Sequence, residues 1–366
     1  MPKTHRLSAL DSIRGIAATA VCLSHIAFFW VETAHATGPI LRILRAFMMW
    51  GHPAVILFFA LSGFVLMLSC RAAPDMGYWP YLVQRMFRIY PAYLVTLVIV
   101  AVTTLIVGPV AQPWMTRFMI DTMPVVDRLG IVDAAGLLFT LRSHVQLNVI
   151  TWSLVHEVRF SLLFPLLAGI AVVRPALFGV GSVALYLVTL PLLGAAGLAP
   201  YYMLSDDIAD SILITTHYLP CFGIGMVAAM AHDRRAPGDP GMLLPGAVMA
   251  GSLLVPRYVH DDLLLALWAA IVTSVVARHF VFAELLRWRP LVALGRLSYS
   301  LYLVHFPIVW FLFYAAAGHL GPLATSVLAV AASLAGAWVL NVAVERPCAR
   351  WGRTRRTGEA PAIATG

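Results

Sequence analysis

The chain has 366 residues, of which 61% are hydrophobic and 11% charged, against about 45–50% and about 25% in soluble domains, so its composition argues against a soluble fold. The formal net charge of +8 is spread over short clusters between apolar runs, which speaks against a nucleic-acid surface and for the topology signal of a membrane protein. Cys22, Cys70, Cys221 and Cys348 show no CxxC spacing, so neither a disulfide framework nor a zinc site is expected.

Apolar runs predict spanning helices at about 10–31, 52–70, 90–110, 152–172, 176–197, 211–231, 241–256, 263–282, 294–316 and 321–344. The expected fold is all-α, a polytopic transmembrane helix bundle of about ten helices over residues 1–350, with a basic, disordered tail at 351–366. The N-terminal MPKTHRLSALDSIRG reads as the start of an uncleaved first helix. The longest loop, near 111–150, has room for a short interfacial helix around 134–147. Arginines recur at alternate junctions, from Arg71, Arg85 and Arg88 to Arg287 and Arg289 and then Arg346 to Arg356, which places both termini on the cytoplasmic side.

Ionisable side chains inside a span cost at least ~2.5–3.5 kcal/mol each, so each needs a partner, a cavity or a function. In the first helix, Arg14 and His25 are eleven residues apart, about three turns with only ~20° of drift, and share a face. Ala18 and Val21 lie between them on that face. A groove over these small side chains is the expected arrangement, from Arg14 in the cytoplasmic leaflet to His25 towards the outer side. An imidazole with an ordinary pKa of ~6.5 can take a proton from a hydroxyl at neutral pH. The plainer alternative is that Arg14 snorkels and His25 bonds to a neighbouring helix.

The second helix, VILFFALSGFVLMLSCR, has Ser62 and Gly63 where backbones can approach closely. Beyond it, Arg71 and the Arg85 and Arg88 of QRMFRIYP form one basic patch, suited to topology signalling, lipid contact or the phosphates of a nucleotide-bearing donor. The fourth helix, in NVITWSLVHEVRFSLLFP, carries Glu157 and Arg159 within a span that Trp152 marks at the interface. Glu157 shares a face with Ser153 and Phe164. It either pairs with an arginine from another helix or orients a histidine.

In the ninth helix, LGRLSYSLYLVHFPIVWF, Ser298, Tyr302 and His305 share a face with Tyr299 nearby, forming a cavity wall or a packed polar seam. The last helix ends in LNVAVERPCARW, where Pro347 is expected to stop it. HExxH, Walker-type and GxSxG motifs are absent, and no ligand spacing suggests a metal or a redox cofactor.

This ordered series of segments resembles the acyltransferase family 3 membrane proteins, which include O-antigen, exopolysaccharide and macrolide O-acyltransferases. LDSIRGIAATAVCLSHI is similar to the family's opening helix, with its arginine and histidine at Arg14 and His25. FFALSGFVL, RMFRIYP, TWSLVHEVRFSLLFP, LGRLSYSLYLVHFPI and VERP resemble the later blocks, so the likeness runs from about residue 7 to 347. The chain departs from the pattern at Val158, Arg159 and Ser161, where many members carry glutamate, glutamine and tyrosine, so only Glu157 carries over there.

The resemblance implies transfer of an acyl group, usually acetyl, from a cytoplasmic acyl-CoA (acetyl-CoA) to a hydroxyl of a carbohydrate or other polyol, free or lipid-linked, at the bacterial inner membrane. On that basis Arg14, Arg71, Arg85 and Arg88 hold the CoA phosphates. His25 acts as general base or acyl carrier, oriented by Glu157, and Trp152, Ser153, Tyr299, Tyr302 and His305 contribute to substrate binding. The rival readings are a transporter or flippase for a lipid-linked glycan and a non-catalytic assembly protein.

Overall fold

The computed structural model describes residues 3–33, 38–73, 77–126, 147–198, 205, 207–234, 243–252 and 254–357. Among the described residues the structure is all helical, without strands. The α-helices in chain order are α1 (Lys3–Thr33), α2 (Gly38–Met48), α3 (Gly51–Ala72), α4 (Tyr78–Val107), α5 (Arg117–Asp121), α6 (Trp152–Val173), α7 (Pro175–Ala195) and α8 (Ile208–Arg234). They continue with α9 (Leu243–Gly251), α10 (Val255–Tyr258), α11 (Asp262–Arg278), α12 (Phe280–Leu286), α13 (Arg289–Ala316), α14 (Pro322–Leu340) and α15 (Arg346–Thr357).

Eight helical segments among the described residues are long and apolar enough to cross a bilayer. In hydrocarbon a backbone must satisfy its own hydrogen bonds, and helices do so within one segment. Their outward faces carry large apolar side chains such as Ile106, 80% exposed, and Val173, 73% exposed, as lipid contact requires.

The other two predicted spans are shorter. The run at 241–256 divides into α9 and α10, because Pro256 at the start of α10 has no N–H with which to continue the helix before it. The run at 263–282 becomes α11, of 17 residues, followed by α12. α2 is an addition that the apolar run concealed, with Arg42 and Arg45 exposed. The helix expected around 134–147 lies outside the described residues except for Leu147.

Pro347 does not stop the last helix. α14 passes through a π turn at Asn341–Glu345, in which the Arg346 N–H bonds to the Asn341 carbonyl five residues back, and α15 then continues to Thr357. The expected disordered tail therefore begins as helix; residues 358–366 lie outside the described part.

Glycines set the tightest helix crossings. A Cβ on Gly225 of α8 would stand 1.8 Å from the Ala60 carbonyl oxygen of α3, and one on Gly63 would stand 2.1 Å from the Phe222 oxygen. These helices touch backbone to backbone, as small residues allow in membranes. Gly225→Val should destabilise the protein by about 3 kcal/mol through overpacking, read as a lowered melting temperature in detergent. Gly181→Ala, where nothing lies within 4 Å, should leave the melting temperature unchanged or raise it.

α1 packs against α13 and α3, α3 against α8 and α11, and α15 against α4. Between α3, α4, α6 and α13 the bundle leaves a cavity.

Candidate active site

The cavity has a volume of ≈ 710 Å³. Its α3 wall runs from Val55 to Ala73, roughly 27 Å by helical rise, so it is a long slot rather than a bowl. One end carries Arg71, Tyr78 and Gln84, which share the lining with the apolar second half of α6, from Phe164 to Val173. The middle holds Arg14, Arg85, Arg88, Ser62, Glu157 and Tyr299. At the other end stand Val55, Phe58, Phe59, Ser153 and Tyr302. All four arginines singled out from the sequence line this one cavity.

They do not stand alike. Arg85 is 8% exposed and bonded on three sides. Its Nε donates to Ser161 Oγ at 3.0 Å, and its Nη2 donates to Ser62 Oγ at 3.1 Å and to Glu157 Oε1 at 2.6 Å. A charge in so confined a place needs such pairing. Ser161, one of the departures noted above, is thus used by Arg85, and Ser62 faces the cavity while its neighbour Gly63 makes the helix crossing. Arg14 makes only a loose pair with Asp11, at 3.8 Å. Among the described residues, four arginines and one carboxylate, Glu157, line the slot, so with Arg85 neutralised its surplus charge is positive and favours an anion.

This corrects the sequence reading of Glu157. Its carboxylate partners Arg85 of α4, not His25. The partner of His25 is a second histidine: His25 Nδ1 lies 3.1 Å from His305 Nε2, with ring centroids 5.2 Å apart. His305 is fully buried, and its Nδ1 donates to the Leu301 carbonyl at 3.0 Å. It belongs with the imidazole pair rather than with the cavity wall.

The groove expected along α1 is also corrected. Among the described residues, Arg14 is the one α1 side chain that lines the cavity, whose walls come from α3, α4, α6 and α13. Ala18 and Val21, 0% and 2% exposed, are packed in the core, because the close α1–α13 crossing at Gly15 and Gly295 leaves no space along that face. His25 stands beyond the slot's aromatic end. The Tyr302 ring there lies 5.9 Å from Phe58 and 5.9 Å from His305.

Of the residues given to substrate binding, Ser153, Tyr299 and Tyr302 line the cavity. Ser153 Oγ is 2.7 Å from the Tyr302 hydroxyl, which donates to the Ile150 carbonyl at 3.0 Å, and the Tyr299 hydroxyl donates to the Ile89 carbonyl at 2.7 Å. Trp152 does not line it; the indole packs against Tyr218, Phe59 and His156, since the first turn of α6 points it into the α3–α8 interface.

A second polar cluster escaped the sequence reading. His52 Nε2 lies 2.5 Å from Asp262 Oδ1, and His217 Nε2 lies 3.6 Å from Asp262 Oδ2. The Tyr186 hydroxyl donates to Asp261 Oδ2 at 2.9 Å. Asp261 and Asp262 open α11, where Asp261 accepts from the Leu264 N–H, and they tie α3, α7, α8 and α11 together. No spacing along the chain could have revealed this, because His52, His217 and Asp262 are far apart in it.

The chain, a helical membrane bundle among its described residues, belongs to acyltransferase family 3, whose acyltransferase-domain model matches residues 7–342. It is 27% identical to the acyltransferase MdmB of Streptomyces mycarofaciens over 395 aligned positions, covering 100% of this chain and 97% of that protein. No solved structure matches the chain. Family membership favours the transferase over the transport and assembly readings.

Proposed function

We propose that the protein transfers an acyl group, acetyl in the first instance, from cytoplasmic acyl-CoA to a hydroxyl of a carbohydrate or similar polyol, free or lipid-linked, in the bacterial inner membrane. The observation that carries this reading is the slot itself, with its arginines at one end and middle and its aromatic end next to the His25–His305 pair. Arg71, Arg14 and Arg88 supply cations for the donor's phosphates. Arg85, already neutralised by Glu157, shapes the wall between them. This orientation places the arginine end, and with it both termini, in the cytoplasm.

The bond changes balance around one imidazole. His25 accepts the proton of the acceptor hydroxyl as the oxygen forms its bond to the thioester carbonyl carbon. The carbon–sulfur bond breaks, and the departing thiolate takes the proton back from His25. Tyr302, whose ring lies between Phe58 of the slot and His305, must shift aside for the acyl group to reach the pair.

Purified protein in nanodiscs, given radiolabelled acetyl-CoA and a panel of glycosides, should release free thiol and label a glycoside in equal amounts. Absence of both with every acyl-CoA and acceptor tried would refute the reading. Arg88→Gln should raise KM for acetyl-CoA about tenfold, the loss of one charge-assisted contact, with kcat within about twofold. An unchanged KM removes Arg88 from the donor site.

A further inference from the structure

We infer that His305 is the positioning residue of the transfer, holding His25 in the one tautomer that can act as base. The inference rests on the proposed role of His25 and assigns it a partner. The Leu301 carbonyl can only accept, so the His305 Nδ1 facing it at 3.0 Å carries a hydrogen. In a neutral imidazole the other nitrogen is then an acceptor. That nitrogen, Nε2, faces Nδ1 of His25 at 3.1 Å, so the His25 hydrogen is on Nδ1 and its Nε2 keeps the lone pair.

A chain of two hydrogen bonds, anchored on the α13 backbone, thus acts with the Val21 backbone of α1 to set the protonation pattern of the His25 ring. The pair is closely enclosed: His305 is 0% exposed, and Phe306 meets the His25 ring edge-on at 5.0 Å. When His25 Nε2 takes the acceptor's proton, the ring becomes an imidazolium and its Nδ1–H bond to His305 becomes charge-assisted. In the Ser-His-Asp arrangement a carboxylate does this; here Glu157 is engaged by Arg85 and a neutral imidazole stands in its place. His305 holds the same protons at the start and at the end of the cycle.

The test compares His305→Phe, which keeps the ring shape without an acceptor, with His305→Gln, whose side-chain carbonyl can accept from His25. His305→Phe should lower kcat about 100-fold, less than the ~10⁴-fold lost with a triad carboxylate, with KM for acetyl-CoA within about twofold. His305→Gln should recover at least tenfold of that loss, and equal activity in the two variants overturns the inference. Nitrogen-15 spectra of ring-labelled histidine in the wild-type protein, with the His25 signals identified by their loss in His25→Ala, decide it independently of how the variants fold. Hydrogen on Nδ1 supports the inference, and hydrogen on Nε2 overturns it. Full activity in His25→Ala would instead remove the base role itself.

Discussion

His25→Ala will lower acyl transfer by about 10³-fold, within the ~10²–10⁴ range for a positioned acid–base group, and leave a folded protein. The ring is partly exposed and bonds to His305 of the neighbouring helix and to the Val21 backbone of its own. Removing it leaves His305 Nε2 without its donor, at a cost of about 1–3 kcal/mol, which lowers the melting temperature without unfolding the bundle. KM for acetyl-CoA should stay close to wild type, because the cationic part of the slot lies away from position 25. A variant that is folded and fully active would exclude His25 as the base.

Glu157→Ala should act on stability first. Breaking a buried ion pair by deleting one partner costs about 3–5 kcal/mol, because the surviving charge is left uncompensated. Glu157 retains 26% exposure against 9% for Arg85, so the low end of that range is expected. Arg85 would keep Ser161 and Ser62 but lose the carboxylate that neutralises it. The double variant Glu157→Ala, Arg85→Met should recover most of the lost stability, since no unpaired charge then remains. Thermal melting in detergent of the single and double variants measures this. A single variant as stable as wild type but catalytically dead would restore the carboxylate to His25.

The two outcomes together separate what the sequence could show from what it could not. Arg14, Arg71, Arg85 and Arg88 were legible as a group because each guanidinium beside an apolar run demands an explanation, and all four line one cavity. The bundle was legible for the same reason, as uninterrupted apolar runs have few other uses. Which charge meets which was not legible. Glu157 was open to an arginine or a histidine, and helical periodicity fixes the face of a residue but not the helix that faces it. His25 and His305 are 280 residues apart, and only the α1–α13 crossing joins them. The same crossing closed the groove expected over Ala18 and Val21, a matter of packing distance that spacing along one helix cannot report.

The widened turn at Asn341–Glu345 explains how the chain continues past Pro347. A proline ring inside a regular helix collides with the carbonyl four residues earlier, here that of Ala343. One surplus residue in the coil loosens this spacing, and it also turns Glu345 to accept from Ser300 and Asn341. Excising a single residue from this stretch would rotate everything downstream by about 100°, lifting Gly352 from its seat on Phe87. The register of the last arginines against α4 is therefore stored in one extra amino acid, upstream of the helix that bears them.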